Sequence, residues 1–502
     1  MASQTTETTV QALPYISLQP STSLVIHDLL APGSSIAAED VWCSLYSSGA
    51  GQEEGDKAAE PAGSVHGRFR ISEGDEEGTI EVESRDDKVL VEMESKSEFL
   101  VSCPSLAIPP TAVLLPSPSL NVPQSSSSYS TNSTSQEAPA PSLLTFPVRG
   151  GIDCFALSSD GKRVVVGGRD GQARAVEIVR YEAGHGKKLG KGKETALRGH
   201  KGDLTAAEFF PSNEVALTAS SDMSLRVFSA TNGSSPRELV GHTKRVTALS
   251  ILRSASPDGP HKGRLVLSAS LDGTVKLWEV SSASVQRTWV LSQPVSAMEV
   301  FQAGDEDAED VLKGKYALAA HSDGSISLID LSSEAATLVF KTSSITSLDS
   351  ISTLPLPQGQ RAVAVGGRNG VVSLFLLPSL PLSTLDGPLP PVAQWRRTEG
   401  GSSTLGLALS SRLSSSSTAA TEAPATAFSV LVAPSDGLAY RAVVTLPPLI
   451  GDAPAAPEVK VVEEFVGLDC EPATGIAEDA EGRVWVSGGG GDGGLRVYAR
   501  EP

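Results

Sequence analysis

The sequence predicts an all-β protein whose larger part is a seven-bladed β-propeller, preceded by a small antiparallel β domain and a disordered linker. Two observations support the ring: one hairpin pattern recurs seven times beyond residue 143, and Gly (47) and Pro (33) are frequent among the 502 residues. Their combined share exceeds the usual usage of about 12%, as is typical of a chain with many turns. We expect the β domain at 1–103, the linker at 104–142 and the propeller at 143–502.

The N-terminal part alternates apolar and polar residues between positions 67 and 102, which is typical of strands. The runs Arg68–Ile71, Thr79–Glu83, Val89–Met93 and Phe99–Ser102 predict four strands of one small antiparallel sheet. This part is also acidic, since residues 51–100 hold 15 acids against 6 bases.

The segment from Pro104 to Ser142 changes composition sharply and is rich in Pro and Ser. Such sequence buries too little apolar area to offset the entropy lost on ordering. It therefore predicts a disordered linker.

The repeated unit beyond the linker is a short apolar run, small residues, a turn and then alternating apolar positions. Each copy predicts a hairpin, with Asp/Asn-Gly supplying the positive φ that a type I′ turn needs. Strands this short must stack against neighbours, and four strands in about 40–45 residues is the period of WD-repeat propellers. The turn residues are Asp170, Asp222, Asp272, Asp323, Asn369, Asp436 and Asp492.

The seventh blade needs a strand from elsewhere, because only Arg500–Pro502 follow its last apolar run. The run Leu143–Val148 is placed to supply it. Pro147 is tolerated there because an outermost strand has a free edge. We expect this strand to close the ring and to remove an exposed blade edge.

Two Gly-His pairs, at positions 199–200 and 241–242, precede repeats. In WD-repeat blades the loop His contacts the turn Asp, and a strand Ser or Thr links that His to a Trp. The same residue types can form a Ser-His-Asp catalytic triad, but here they recur with the fold and lack a nucleophile elbow, which favours the structural role. The expected networks are His200, Ser220 and Asp222 in one blade, with Phe228 in place of Trp, and His242, Ser270, Asp272 and Trp278 in the next.

The remaining patterns indicate no cofactor and no metal. Four cysteines (Cys43, Cys103, Cys154 and Cys470) lie far apart without a CxxC spacing, which favours reduced thiols. The run Gly488–Gly494 lacks the Gly-Lys-Ser/Thr ending of a phosphate loop and predicts a turn. The basic run His185–Lys193 predicts a solvated loop, with an anionic contact as the alternative.

Charge and hydropathy exclude two classes of partner. The formal net charge of −19 disfavours non-specific nucleic-acid binding, and the sequence has no run of about 18 apolar residues that would cross a membrane. The N-terminus shows no basic segment followed by an apolar one. We expect a monomer in the cytoplasm and nucleus.

The segment from Leu197 to Val280 resembles the proteasomal ATPase-associated factor, on the run Gly-His-x-x-Asp-Leu-x-x-x-x-Phe-Phe-Pro-Ser at 199–212 and on Leu225-Arg-Val-Phe-Ser-Ala. The layout is similar too, with Trp42 near the start of an acidic β domain. That family comprises WD-repeat assembly chaperones of the proteasome regulatory particle. The resemblance implies a non-enzymatic protein that binds a proteasomal ATPase subunit, by its C-terminal domain, during assembly of the base. Two residues depart from the family pattern: Phe228 stands where Trp is usual, and Asn369 stands where Asp is usual.

Two other hypotheses about the function remain. A second one is a different WD-repeat scaffold, such as a ubiquitin-ligase substrate receptor or a ribosome-assembly factor, since a fold alone does not separate these. A third is a propeller enzyme, which would need His, Asp or Glu from several inner strands, where the sequence offers mostly Ala, Val, Leu and Ser. An acidic protein attracts a basic partner surface, so the candidate partner-binding residues are Asp170, Asp203, Asp323 and Asp436, although turn Asp residues are more often structural.

Overall fold

The computed structural model describes most of the chain and is organised as a ring of β-sheets with a smaller domain against its side. The described residues are 9–19, 21–30, 36–47, 63–74, 79–116, 144–145, 151–183, 186–253, 264–303, 311–333, 336–342, 346–380, 388–397, 402–413, 426–447, 456–468, 471–488 and 494–500.

The described residues of the N-terminal part form eight strands, one α-helix and a short 3-10 helix. The elements are β1 (Val10–Ala12), β2 (Tyr15–Leu18), α1 (Thr22–Leu29), β3 (Ala38–Tyr46), β4 (Ser64–Glu73), β5 (Ile80–Ser84), β6 (Leu90–Ser95), β7 (Glu98–Cys103), a 3-10 helix (Pro104–Leu106) and β8 (Ile108–Leu114).

The ring follows, each blade running from its inner to its outer strand. Blade 1 holds β10 (Ile152–Leu157), β11 (Arg163–Gly168), β12 (Ala173–Ala183) and β13 (Gly186–Leu197); blade 2 holds β14 (Leu204–Phe209), β15 (Val215–Ser220), β16 (Ser224–Ser229) and β17 (Arg237–Val240). Blade 3 holds β18 (Val246–Ile251), β19 (Leu265–Ser270), β20 (Thr274–Glu279) and β21 (Ser284–Val290); blade 4 holds β22 (Val295–Gln302), β23 (Lys315–His321), β24 (Ser325–Asp330) and β25 (Ala336–Lys341).

The second half of the ring repeats this order. Blade 5 holds β26 (Leu348–Pro355), β27 (Arg361–Gly367), β28 (Val372–Leu377) and β29 (Ala393–Arg396), with a 3-10 helix at Pro357–Gly359. Blade 6 holds β30 (Thr404–Ser410), β31 (Thr426–Pro434), β32 (Ala439–Leu446) and β33 (Glu458–Phe465), and blade 7 holds β34 (Ala473–Glu478), β35 (Val484–Gly488) and β36 (Gly494–Tyr498).

Each inner strand packs against the next, and β34 packs against β10, so the ring is closed. The predicted all-β, seven-bladed propeller is confirmed.

The strand that completes blade 7 comes from the segment before the ring, as predicted. It is β9 (Leu144–Thr145), which pairs antiparallel with β36, Thr145 opposite Gly494 and Leu144 opposite Leu495. Leu143 and the residues 146–148 lie outside the described residues. The outer edge of β36 is therefore covered.

The hairpin turns differ from the predicted type I′ geometry. Gly273 has a φ of 79°, whereas Asp272 before it is not in the left-handed region, and the Gly273 N–H donates to the Ser270 carbonyl at 3.1 Å. This is a type I turn followed by one left-handed residue, the usual form of a slightly longer hairpin loop. In blade 2 Met223 takes the left-handed position, with a φ of 68°.

The predicted boundaries of the N-terminal part need two corrections. The four predicted strands exist as β4 to β7, but they belong to two sheets: β2–β5 form one, whereas β6, β7 and β8 continue the sheet of blade 6 through parallel pairing of β8 with β33. Residues 104–116 of the predicted linker are folded, because Ala112–Leu115 bury their side chains despite the neighbouring prolines. The stretch 117–142 lies outside the described residues.

The N-terminal part has its own core and two backbone connections to the ring. Val25, Ile26 and Leu29 of α1 pack with Phe69 and Phe99 in one apolar cluster. Strand β1 pairs parallel with β29 and extends blade 5, as β8 extends blade 6. Two adjacent blades therefore hold this domain at their outer edges.

Candidate functional site

The upper face is our name for the end of the ring at which the inner strands begin and the turns between second and third strands lie. In blades 2 and 3, polar side chains reach from this face into the sheets. Loops of this kind on a rigid scaffold are where binding residues concentrate. The candidate site therefore consists of these loops.

Blade 3 holds a buried hydrogen-bond network. His242 Nδ1 lies 2.9 Å from Asp272 Oδ2, and its Nε2 lies 2.7 Å from Ser268 Oγ. Trp278 Nε1–H donates to Ser268 Oγ at 2.8 Å. Because the Asp272 carboxylate only accepts, the Nδ1–H of the neutral His242 donates to it, and His242 Nε2 accepts the proton of Ser268.

The serine in this network is not the one that the sequence predicted. Ser270 instead donates to the Lys244 carbonyl at 3.0 Å and accepts from the Asp272 N–H at 3.1 Å. The register explains the difference: Trp278 lies opposite Val266, which makes Ser268 its diagonal neighbour, whereas Ser270 lies further along the strand, at the turn. The alternation of side chains points both serines to one face, so only the register separates them.

Blade 2 holds a shorter version of this hydrogen-bond network. His200 Nδ1 lies 3.0 Å from Asp222 Oδ2, and its Nε2 lies 2.8 Å from Thr218 Oγ1, whereas the predicted Ser220 donates to the Gly202 carbonyl at 2.9 Å. Phe228 is buried where blade 3 has Trp278. The network therefore ends at Thr218.

The electrostatics of both networks are those of a structural element. Burial would raise the pKa of Asp272, but hydrogen bonds from Thr274, the Thr243 N–H and His242 outweigh it and lower the pKa to about 2. Burial lowers the pKa of His242, whose side chain is 0% exposed. Since both ring nitrogens are occupied, His242 has no atom to offer a substrate.

Replacing Ser268 with alanine is expected to lower the free energy of unfolding by about 1–2 kcal/mol, because the Trp278 N–H and His242 Nε2 both lose a buried partner. Chemical denaturation followed by Trp fluorescence measures this. Ser250→Ala, on the inner strand of the same blade, is the control and should stay within about 0.5 kcal/mol of wild type. Equal effects of the two changes would contradict the network.

The acidic residues predicted to bind a partner are engaged with their own loops. Asp170, Asp323 and Asp436 each accept, through Oδ1, the backbone N–H two residues further on, at 2.9–3.0 Å. Asp203 is partly buried, and its carbonyl accepts from the Ser221 N–H at 2.8 Å. The geometry gives the carboxylates of Asp170, Asp323 and Asp436 a role in shaping the loops, whereas for Asp203 the contact is made by the backbone.

The inner strands also carry two acids that the sequence analysis passed over. Glu208 on β14 accepts from the Ile251 N–H at 2.9 Å and lies 3.6 Å from Arg253. Burial raises its pKa to about 7. Burial, with repulsion from Glu208, raises the pKa of Glu299 on β22 to about 8. No group of three or more His, Cys, Asp and Glu suited to a metal occurs in the described ranges.

Glu299→Gln is expected to remove a pH dependence of stability. A carboxyl whose pKa is raised in the folded state stabilises the fold below its unfolded value, near 4.5, and loses that contribution as pH rises towards 8. The variant should therefore be more stable than wild type at pH 8, by on the order of 1 kcal/mol because Glu299 is only partly buried and solvent screens its charge, and equal at pH 4.5. Thermal melts across this range measure the difference, and parallel curves for both proteins would contradict it.

Two buried ionic clusters link separate parts of the fold, one joining the ring to the N-terminal part and the other joining blades 6 and 7. Arg397 Nη2 lies 2.5 Å from Glu464 Oε1, which also accepts the Ile16 N–H at 3.2 Å. Burial raises the pKa of Glu464 to about 7. In the second cluster Arg441 contacts Glu463 and Glu478 at 2.7 and 3.0 Å. Sequence reasoning missed these residues, because their partners lie in other blades or another domain.

The fold places the chain among β-propeller proteins, and comparison with known proteins refines the class. Residues 192–229 and 233–279 match the family model described as WD domain, G-beta repeat. These two stretches contain the His–Asp networks of blades 2 and 3. They are WD repeats.

Known proteins similar to this chain include two yeast proteins and one solved propeller structure. A stretch of 136 residues is 32% identical to the SIR4-interacting protein SIF2 of Saccharomyces cerevisiae, covering 27% of this chain and 22% of SIF2. A stretch of 53 residues is 42% identical to the 26S proteasome regulatory subunit RPN14 of the same yeast, covering 11% of this chain and 13% of RPN14. The WD40 repeats of RRP9 superpose with a TM-score of 0.50 at 14% identity, over 71% of this chain and 96% of that one.

These similarities differ in what they establish. The RRP9 structure supports the fold alone. The two yeast relatives are matched over less than a quarter of their length, so their activities do not transfer directly. Among the helices that the structure describes, none is long and apolar enough to cross a membrane.

Proposed function

We propose that the protein is a non-enzymatic WD-repeat chaperone that binds a proteasomal ATPase subunit, through its C-terminal domain, and assists assembly of the proteasome regulatory particle base. The observation that carries the proposal is the stretch 42% identical to RPN14, together with the resemblance of blades 2 and 3. We propose the cytoplasm and nucleus as its location.

The geometry is consistent with a binding scaffold. The seven blades close into one ring, and a rigid ring holds its loops in place, so that binding a folded partner costs little ordering entropy. The His–Asp pairs have no free ring nitrogen for chemistry. These features support a protein partner and a structural role for the polar residues.

A direct test is binding of purified C-terminal domains of proteasomal ATPase subunits to the full chain. We expect one of them to bind in gel filtration and calorimetry, and the tagged protein to recover ATPase subunits from its own cells without the proteolytic core particle. Absence of all ATPase subunits from both experiments would overturn the proposal.

A second candidate is a different WD-repeat scaffold, because the SIF2 match is longer than the RPN14 match, 136 against 53 residues. Recovery of ubiquitin-ligase or ribosome-assembly components in place of ATPase subunits would favour it.

A further inference from the structure

The outer strands of blades 4, 5 and 6 each carry an added segment, which lies beside the same position every time. We call this the anchor position: the outer-strand residue opposite the third residue after the turn Asp or Asn. At the anchor position Phe340 of blade 4 lies beside Leu389, Trp395 of blade 5 beside Gln11, and Phe465 of blade 6 beside Leu114. All three added segments run parallel to the outer strand, so these blades extend their sheets in one way.

The residue type at the anchor position divides the seven blades. Blades 1, 2 and 7 have a leucine there (Leu197, Leu239 and Leu144), and no further strand joins their sheets in the part of the chain that the structure describes. Blades 4, 5 and 6 have an aromatic residue and an added segment. Blade 3 has an aromatic residue, Trp289, but among the described strands its sheet ends at β21. Blade 3 therefore has the anchor of an extended blade without the added segment.

Trp289 holds β21 in place from the neighbouring blade. Its side chain is 3% exposed and packs in one apolar cluster with Ala317 of blade 4, and its Nε1–H donates to the Ser333 carbonyl at 3.1 Å. Arg287, the single charged residue of β21, donates from Nη1 to the Leu331 carbonyl at 2.8 Å. The edge of β21 is therefore fixed before a partner arrives, which lowers the ordering cost of binding.

The backbone of β21 presents hydrogen-bonding groups at this edge. The Leu291 N–H donates to the Gly273 carbonyl at 2.8 Å. Because the bonds of an antiparallel ladder involve every second residue, the N–H and C=O groups of Thr288 and Val290 point away from β20.

The extended blades use the backbone groups on either side of the anchor position. In these bonds the Leu13 N–H donates to Arg396, the Val466 N–H to Leu114 and the Leu389 N–H to Val339, at 2.9, 3.2 and 2.7 Å. The first two bonds use the residue after the anchor position, which is Val290 in blade 3. The third uses the residue before it, which is Thr288 in blade 3. The groups that bind the added segments are thus present on β21.

Few of the features that protect an edge strand occur on β21. It has seven residues without Pro or Lys, and Val290 and Val285 are 80% and 39% exposed. In contrast, β17 of blade 2 has four residues, of which the first two are the exposed Arg237 and Glu238, and short, charged edges resist pairing. The β-bulge at Gln286 does not prevent pairing, since β33 has a bulge at the same place and still pairs with β8.

The segments added to the other blades show what fits such an edge. Val10–Ala12 on blade 5 and Ala112–Leu114 on blade 6 are extended and uncharged, and Leu389 on blade 4 is apolar. All three belong to this chain and already occupy an edge. The edge of blade 3 therefore suits an uncharged, aliphatic segment from another protein.

We propose that the outer edge of β21 is the docking site for an extended, aliphatic segment of a partner protein, which adds a fifth strand to blade 3 in parallel with β21. In this mode main-chain hydrogen bonds give affinity and alternate side chains give specificity. The proposal goes beyond the proposed function, since it does not require the partner to be an ATPase subunit. Because the segment is uncharged, the net charge of −19 does not oppose its binding.

The test uses the full chain and a fluorescein-labelled peptide, Ser-Thr-Val-Leu-Val-Thr-Ser, followed by fluorescence anisotropy. We expect saturable binding, and none for the same peptide with Pro in place of Leu, because Pro removes an N–H of the added strand. In hydrogen–deuterium exchange, the amides of Thr288 and Val290 should exchange fast in the free chain and slowly with the peptide bound.

Val290→Pro removes one outward N–H at an edge where proline is tolerated. This variant should bind the peptide at least about tenfold more weakly, equivalent to about 1.4 kcal/mol, whereas Val290→Lys keeps the N–H and should lose less. Melting curves check that each variant folds. Val240→Pro is the matched control, because Val240 has the same place on β17 and is 68% exposed, and it should bind like wild type.

Equal affinity of Val290→Pro and Val240→Pro, or no binding by wild type, would overturn the proposal. Slow exchange of the Thr288 and Val290 amides in the free chain would also overturn it, in favour of a segment of this chain. If that exchange slows only as the protein concentration rises, a second copy is the occupant and the proposal is wrong. An ATPase domain that fails to bind while the peptide binds would refute the proposed function alone.

Discussion

Replacing Arg441 with leucine is expected to lower the free energy of unfolding by about 3–5 kcal/mol. The Arg441 side chain is 5% exposed and contacts the equally buried Glu463 and Glu478, and its Nη1–H donates to Ser429 at 3.1 Å. Removing the guanidinium leaves the Glu478 carboxylate of blade 7 without the cation that offsets its desolvation. It also leaves the Glu463 carboxylate of blade 6 only partly compensated. Urea denaturation monitored by circular dichroism measures the loss.

A matched control lies on the same blade. Lys460 pairs with Glu458 at 2.7 Å, but the two side chains are 66% and 59% exposed, so Lys460→Leu should change stability by less than about 1 kcal/mol. Replacing Arg441, Glu463 and Glu478 together by apolar residues of similar size should recover most of the loss. If Arg441→Leu and Lys460→Leu have the same effect, the buried cluster is not a stabilising link between blades 6 and 7.

Deleting residues 143–148, which include β9, is expected to lower the stability of the whole ring by about 2–4 kcal/mol. Gly494 and Leu495 of β36 lose their strand partners, and blade 7 gains an exposed edge that other chains can pair with. Differential scanning calorimetry measures the melting temperature, and gel filtration detects the oligomers that a free edge favours.

Deletion of six residues within 125–136, inside the predicted linker, is the control for chain length. It should leave the melting temperature unchanged. An unchanged melting curve for the deletion of 143–148 would mean that β9 does not hold the ring closed.

Local patterns in the sequence predicted much of the ring. The alternation of apolar residues and the turn residues such as Asp272 and Asp323 depend on neighbours within one hairpin, and these gave seven blades in the right places. Counting the strands of the last repeat predicted that blade 7 takes its outer strand from the segment before the ring. The pairs His200–Asp222 and His242–Asp272 were found because the repeat itself aligns them.

The serine in the network was missed for a different reason. Ser268 and Ser270 lie on one face of the same strand, and only the pairing of Val266 with Trp278 decides between them. Register is a property of two strands together, so one strand's sequence does not reveal it.

The sequence by itself determined the fold class, the number of blades and the way in which the ring closes, because turn chemistry and side-chain alternation act over a few residues. The tertiary structure decided where β1 and β8 dock and which acids are buried beside Arg397 and Arg441. The Ile16 N–H reaches Glu464 across 448 positions, and contacts of that kind depend on how sheets pack. The net charge of −19 is a sum over the whole chain, whereas a partner contacts only the side chains that the fold exposes on one surface.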